Sequence, residues 1–183
     1  WIVFRISGAL PFIISGEIPN VFNALFETIS GYTTTGATIL SDVESLSKCL
    51  LFWRSFTHWI GGMGVLVFML SILPLAGGNN MHILRAESPG PSVGKLVPRL
   101  RSTATILYAI YAALTFIEFV LLLLGGMSLF DAVTTAFATA GTGGFGIKNS
   151  SMAEYSVYIQ NVVAIFMVLF GVNFAIYFLF LIK

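Results

Sequence analysis

The sequence predicts an all-α membrane protein made of tandem helix–pore-loop–helix repeats with re-entrant pore helices. Three observations lead there. First, the 183 residues are 57% hydrophobic and only 9% charged, with a mean hydropathy of +0.92, whereas a soluble domain carries about a quarter charged residues. Second, the sequence matches itself at an offset of 108: Phe22 falls on Phe130, Ala24 on Ala132, Thr34 on Thr142 and Gly36 on Gly144. Third, each matching stretch follows an apolar segment too short to cross a bilayer and precedes one long enough to do so.

Taken in order, Trp1 to Ser15 is apolar apart from Arg5. At about 1.5 Å per residue it covers roughly 22 Å, short of the ~30 Å hydrocarbon core. It reads as the outer end of a spanning helix. The chain begins at Trp1 without a secretory signal, and we expect a fragment or a processed chain. Asn20 to Gly31 reads as a helix of about three turns that only dips into the membrane. Asn20 and its counterpart Ser128 are both good N-caps, and Asp131 adds an acid to the first turn of the second copy. Such a helix aims its C-terminal carbonyls, roughly half a negative charge, at the membrane centre. Thr33 to Thr38 then returns outward. Leu50 to Leu73 is the first complete span, ended by Pro74 and Gly77-Gly78. A linker follows, then Thr103 to Leu124 spanning back, Ser128 to Ala138 dipping, Thr139 to Gly146 returning, and Tyr155 to Ile182 spanning inward. The expected units are residues 1–75, pore repeat 1 with its first helix clipped; 76–101, a linker; and 102–183, pore repeat 2.

Orientation follows from the basic residues. The linker holds Arg85, Lys95, Arg99 and Arg101 against Glu87, while Glu17, Glu27, Asp42, Glu44, Asp131 and Glu154 surround the pore loops. Basic loops stay cytoplasmic, so the linker faces in and the pore loops open outward.

The chemistry concentrates in Thr34-Thr35-Gly36-Ala37-Thr38 and Thr142-Gly143-Gly144-Phe145-Gly146. The second stretch is close to the T-V-G-Y-G of potassium-channel filters, where backbone carbonyls replace the water around an ion. We therefore expect extended selectivity-filter segments at Thr34, Thr35, Gly36, Ala37, Thr142, Gly143, Gly144 and Phe145. Potassium would be held by the backbone of Thr34, Thr35, Gly36, Thr142, Gly143 and Gly144. Glycine permits the tight curl at 36 and 144 without steric cost. The bland alternative is a flexible glycine-rich turn. A phosphate cradle would need a Lys-Ser/Thr pair at its end, and none follows.

Arg54 and His58 lie one turn apart near Trp53 and Trp59. A mid-bilayer charge costs about 2.5–3.5 kcal/mol on insertion scales, so Arg54 is expected to snorkel to the outer interface beside a tryptophan belt. Glu118 lies deeper and must pair or face water, with Arg54 a candidate partner. Gly61, Gly62, Gly64 and Gly171 read equally as close-packing positions or as a bend below the filter. The lone Cys49 forms no internal disulfide. His58 and His82 lack companions at metal-ligand spacing, so no metal site other than the potassium filter is expected. No nucleophile–base pair stands out, so we expect no enzyme, no cofactor and no nucleic-acid partner.

These residues resemble the Trk-type bacterial potassium uptake proteins of the wider Trk/Ktr/HKT superfamily. The first pore loop, Phe26 to Thr38, carries the likeness, with Phe52-Trp53-Arg54, Trp59-Ile60-Gly61-Gly62-Met63-Gly64, Ile72-Leu73-Pro74, Arg85 to Pro91 and Gly143-Gly144-Phe145. The Arg-Ala-Glu-Ser-Pro-Gly-Pro run favours the Trk branch. The resemblance implies four fused repeats around one pore in the bacterial cytoplasmic (inner) membrane. It also implies homodimers and gating by a cytoplasmic nucleotide-binding Trk regulatory ring protein. On that pattern this chain carries repeats one and two, while the gating segment belongs to the third. Gly146 makes the second filter more channel-like than in many relatives. Two other readings stay open: a two-repeat potassium channel subunit completed by a second copy, and a non-conducting membrane scaffold in the lipid bilayer.

Overall fold

A computed structural model of the chain describes residues 2–64, 100–172, 174, 176 and 177. The linker and its basic residues up to Arg99 lie outside the described residues, as do the lower part of the Leu50–Leu73 span and most of the final helix beyond 172. Six helices are described: α1 (Ile2–Ile14), α2 (Val21–Tyr32), α3 (Lys48–Gly62), α4 (Leu100–Leu124), α5 (Leu129–Ala140) and α6 (Val157–Gly171).

The dipping helices α2 and α5 are each 12 residues long, and their bounds differ by the repeat offset of 108. Their caps are the expected ones. Asn20 Oδ1 accepts from the Phe22 and Asn23 N–H groups, and Ser128 Oγ accepts from Asp131 N–H, filling donors that the first turn leaves open. Thr105–Leu124 within α4 is long and apolar enough to cross a membrane.

Within each repeat, the dipping helix packs between the flanking helices: α2 between α1 and α3, α5 between α4 and α6. The repeats join where α3 packs on α5. Glycine lets α3 approach its neighbours closely. A methyl on Gly61 would meet the Tyr32 backbone, and one on Gly62 would meet the Tyr111 hydroxyl and the Ala140 carbonyl. One core cluster, around Phe12, Leu50 and Leu51, serves the first repeat. Another, around Tyr111, Leu122 and Phe166, serves the second.

Two expectations about the long helices change. The span read as continuous from Leu50 is cut at Met63, where Gly64 takes a left-handed φ of 74° and closes the helix. In α6, Val172 leaves helical geometry at φ −71°, ψ 142°. By the repeat offset these are the same place, since Met63 falls on Gly171 and Gly64 on Val172. The glycines therefore divide by role. Gly61 and Gly62 serve packing, whereas Gly171 has open space around it among the described residues and stands at a break. The two tryptophans of α3 serve helix packing. Trp53 Nε1 donates to the Gly8 carbonyl and Trp59 Nε1 to Thr115 Oγ1, each tying α3 to a neighbouring helix.

Candidate functional site

After α2 and α5 the backbone turns back in the same way twice. Thr34 has φ 54° and Thr142 φ 59°; two residues on, Gly36 has φ 73° and Gly144 φ 66°. Glycine adopts this region freely, but a β-branched threonine there is a genuine outlier. Such strain costs about 1–3 kcal/mol per residue and persists only where surroundings over-determine it. Its recurrence at equivalent positions marks these segments as built shapes rather than loose turns.

The segments run side by side. A methyl on Gly36 would overlap the Gly143 carbonyl oxygen, and one on Gly143 would come 2.6 Å from the Thr34 carbonyl oxygen. The two expected filter stretches are thus brought together with their backbones in contact. Between their C-terminal ends lies a cavity of about 210 Å³ bordered by Gly36, Thr38, Gly144 and Gly146. Thr35 and Ala37 are exposed, and Thr35 Oγ1 lies 2.8 Å from Thr33 Oγ1. Phe145 differs from its neighbours: its side chain is buried and turned back into the protein, so only its backbone can serve an ion.

Behind the segments stands a polar framework that the sequence reading missed. Glu27 on α2 is fully buried. Its Oε1 accepts from Thr38 Oγ1 (2.8 Å) and Arg54 Nε (2.7 Å), and its Oε2 accepts from Ile39 N–H (3.0 Å). Arg54 also donates through Nη1 to the Gly146 carbonyl at 2.9 Å, with its guanidinium 3.8 Å from the Phe145 ring centre. One ion pair therefore holds the C-terminal ends of both segments. One turn further along α3, His58 Nε2 accepts from Gly143 N–H at 3.1 Å, and its ring stacks on Phe145.

Three expectations are corrected here. Arg54 does not snorkel: it is 1% exposed and directed at α2 and the second segment. Its partner is Glu27, not Glu118, because Glu27 offers a carboxylate already bound to the first segment. Glu27 consequently adds nothing to the surface charge. Glu118 is buried, and among the described residues its carboxylate oxygens have no hydrogen-bond partner. The missed signal was available: opposite charges in two short apolar helices must pair to be buried.

Beyond the two segments, Asn149 ties the repeats. Its Oδ1 accepts from Val43 N–H, its N–H donates to Glu44 Oε1 and its Nδ2 donates to Asp42 Oδ1. Lys148 Nζ lies 2.6 Å from Glu154 Oε2. That hydrogen bond raises the lysine pKa and lowers the glutamate's.

Comparison with known proteins agrees over the whole length. The family profile described as "TrkH: Cation transport protein" matches residues 1–183. The chain is 42% identical over 182 residues to the Trk system potassium uptake protein TrkH of Escherichia coli K12, covering 97% of this chain and 38% of that protein. It is 38% identical to the Trk system potassium uptake protein TrkG of the same strain, covering 98% of this chain and 38% of that one. The crystal structure of the potassium transporter TrkH from Vibrio parahaemolyticus superposes with a TM-score of 0.76 at 36% identity, over 97% of this chain and 35% of that chain. The chain thus spans a little over a third of the length of these relatives.

Proposed function

Because this chain belongs to the TrkH family of cation transport proteins, we propose that it forms part of a potassium-conducting pore in a bacterial cytoplasmic membrane. The observation that carries the reading is the repeated left-handed pair, Thr34 with Gly36 and Thr142 with Gly144, on touching backbones. Bare carbonyls so arranged can replace the water around a potassium ion. The binding groups are the backbone oxygens of Thr34, Thr35, Gly36, Thr142, Gly143 and Gly144, with Ala37 and Phe145 completing the segments. The C-terminal ends of α2 and α5 lend partial negative charge beneath them. The work is transport, not catalysis.

The finer reading follows the family. Residues 1–75 and 102–183 are the first two pore repeats, and 76–101 is a cytoplasmic linker, with the pore loops open to the outside. Further repeats or a second copy complete the ring, two pores pair as a homodimer, and a nucleotide-binding ring protein regulates them from the cytoplasm.

The test is substitution of Gly36 and Gly144 by serine in the potassium-transporting assembly. At Gly36 the side chain would strike the Gly143 carbonyl; at Gly144 there is space, but the left-handed φ opposes a side chain. Both variants are expected to reach the membrane and lose preference for potassium over sodium, Gly36→Ser the more severely. Unchanged ion preference in both would overturn the reading.

A further inference from the structure

We infer that His58, on the first repeat, is a positioning residue that aims the Thr142 carbonyl of the second repeat's filter at the permeating ion; the inference rests on the filter reading above. The argument starts from one peptide. Gly143 N–H donates to His58 Nε2 at 3.1 Å. The peptide bonds of the described residues are trans, and in a trans peptide the N–H and the preceding C=O point in opposite directions. With Gly143 N–H held against α3, the Thr142 carbonyl is directed away from α3.

The first repeat solves the same problem differently. Its equivalent peptide joins Thr34 to Thr35, and Thr35 N–H donates to the Ser30 carbonyl at the end of its own dipping helix, at 3.0 Å. The Thr34 carbonyl accordingly points away from that helix end and approaches Gly143. In the second repeat the equivalent donor turns to His58. A side chain from the neighbouring repeat replaces a backbone acceptor.

The local sequence is fitted to this exchange. Methyl groups on Gly141 or Gly143 would overlap the His58 imidazole. At the repeat offset these glycines fall on Thr33 and Thr35, so the second segment carries no side chain at either place where the imidazole enters. His58 itself has no polar counterpart. The offset gives Phe166, and aligning the ends of α3 and α6 gives Met167. His58 is fully buried and stacked on Phe145 at 5.3 Å, which fixes the ring plane. Because Nε2 accepts, the ring is neutral with its proton on Nδ1.

The experiment compares His58→Phe, His58→Gln, Gly36→Ser and Gly144→Ser in the potassium-transporting assembly. It measures uptake of potassium and sodium per protein in the membrane. Phenylalanine keeps the bulk and removes the acceptor; glutamine places an amide oxygen near the Nε2 position. We expect His58→Phe to lower the potassium-to-sodium preference about tenfold, the size of one net hydrogen bond, and His58→Gln to restore most of it. If the phenylalanine variant fails to reach the membrane, His58→Met, slimmer and without a comparable acceptor, replaces it. Parental preference in the apolar variant, or equal losses in the apolar and glutamine variants, would overturn the inference. Parental preference in Gly144→Ser and in Gly36→Ser alike would instead overturn the filter reading beneath it.

Discussion

At the residue scale, the strongest coupling runs through Arg54. Its guanidinium satisfies Glu27, the Gly146 carbonyl and the Phe145 ring at once. A fork of planar donors can do this; a lysine ammonium cannot occupy all three positions. Removing one partner of a buried pair leaves the other charge uncompensated, at about 3–5 kcal/mol. Arg54→Gln should therefore lower the thermal stability of the detergent-solubilised protein and weaken potassium uptake. Glu27→Gln should do the same, and the double variant should recover part of the stability, because no lone charge remains buried. Strictly additive losses in that cycle would mean that the two side chains do not act as a pair. The reading from sequence reached the glycines at 36 and 144 but not this clamp. Glycine at a repeated turn announces its backbone need. A left-handed threonine at 34 or 142, or an arginine bonded to Gly146 from 92 positions away, leaves no local mark.

At the scale of elements, the dipping helices were the most legible. Their length, their caps at Asn20 and Ser128 and their following turns recur in register, so two weak signals became one strong one. The long helices were less so. Hydropathy runs straight through Met63-Gly64, whereas the backbone breaks there and again at Val172. A helix break needs only a left-handed glycine or one extended residue, and neither alters average hydropathy. The direction of these elements is testable from the charge asymmetry. Arg85, Lys95, Arg99 and Arg101 should hold the 76–101 linker in the cytoplasm. A cysteine placed at Ser92 should resist impermeant thiol reagents in intact cells, and one at Ser41, in the loop after the first filter segment, should react, each in a Cys49→Ser background. The opposite labelling would reverse the orientation and turn the filter mouths inward.

At the scale of the whole molecule, two repeats share what each lacks. The α3–α5 contact, the Asn149 latch and the reach of Arg54 and His58 into the second segment make the pair one unit rather than two beads. Among the described residues, that unit presents one open side. Thr35, Ala37, Thr142 and Gly144 are exposed, and backbone at membrane depth survives only buried in protein or lining water. Unsatisfied polar groups in hydrocarbon cost several kcal/mol each. On the proposed reading, two touching segments would line one side of an ion, and shedding its water requires oxygens from all sides. The 183-residue chain as a monomer should therefore carry no selective potassium flux in liposomes. Further repeats or a second copy should restore it. Mass measurement in mild detergent before reconstitution separates the outcomes. A monomer with potassium-selective current would overturn the closure argument. A conducting dimer would favour the arrangement in which two copies supply four filter segments, with Arg54 and His58 of each copy still holding the second segment of its own chain.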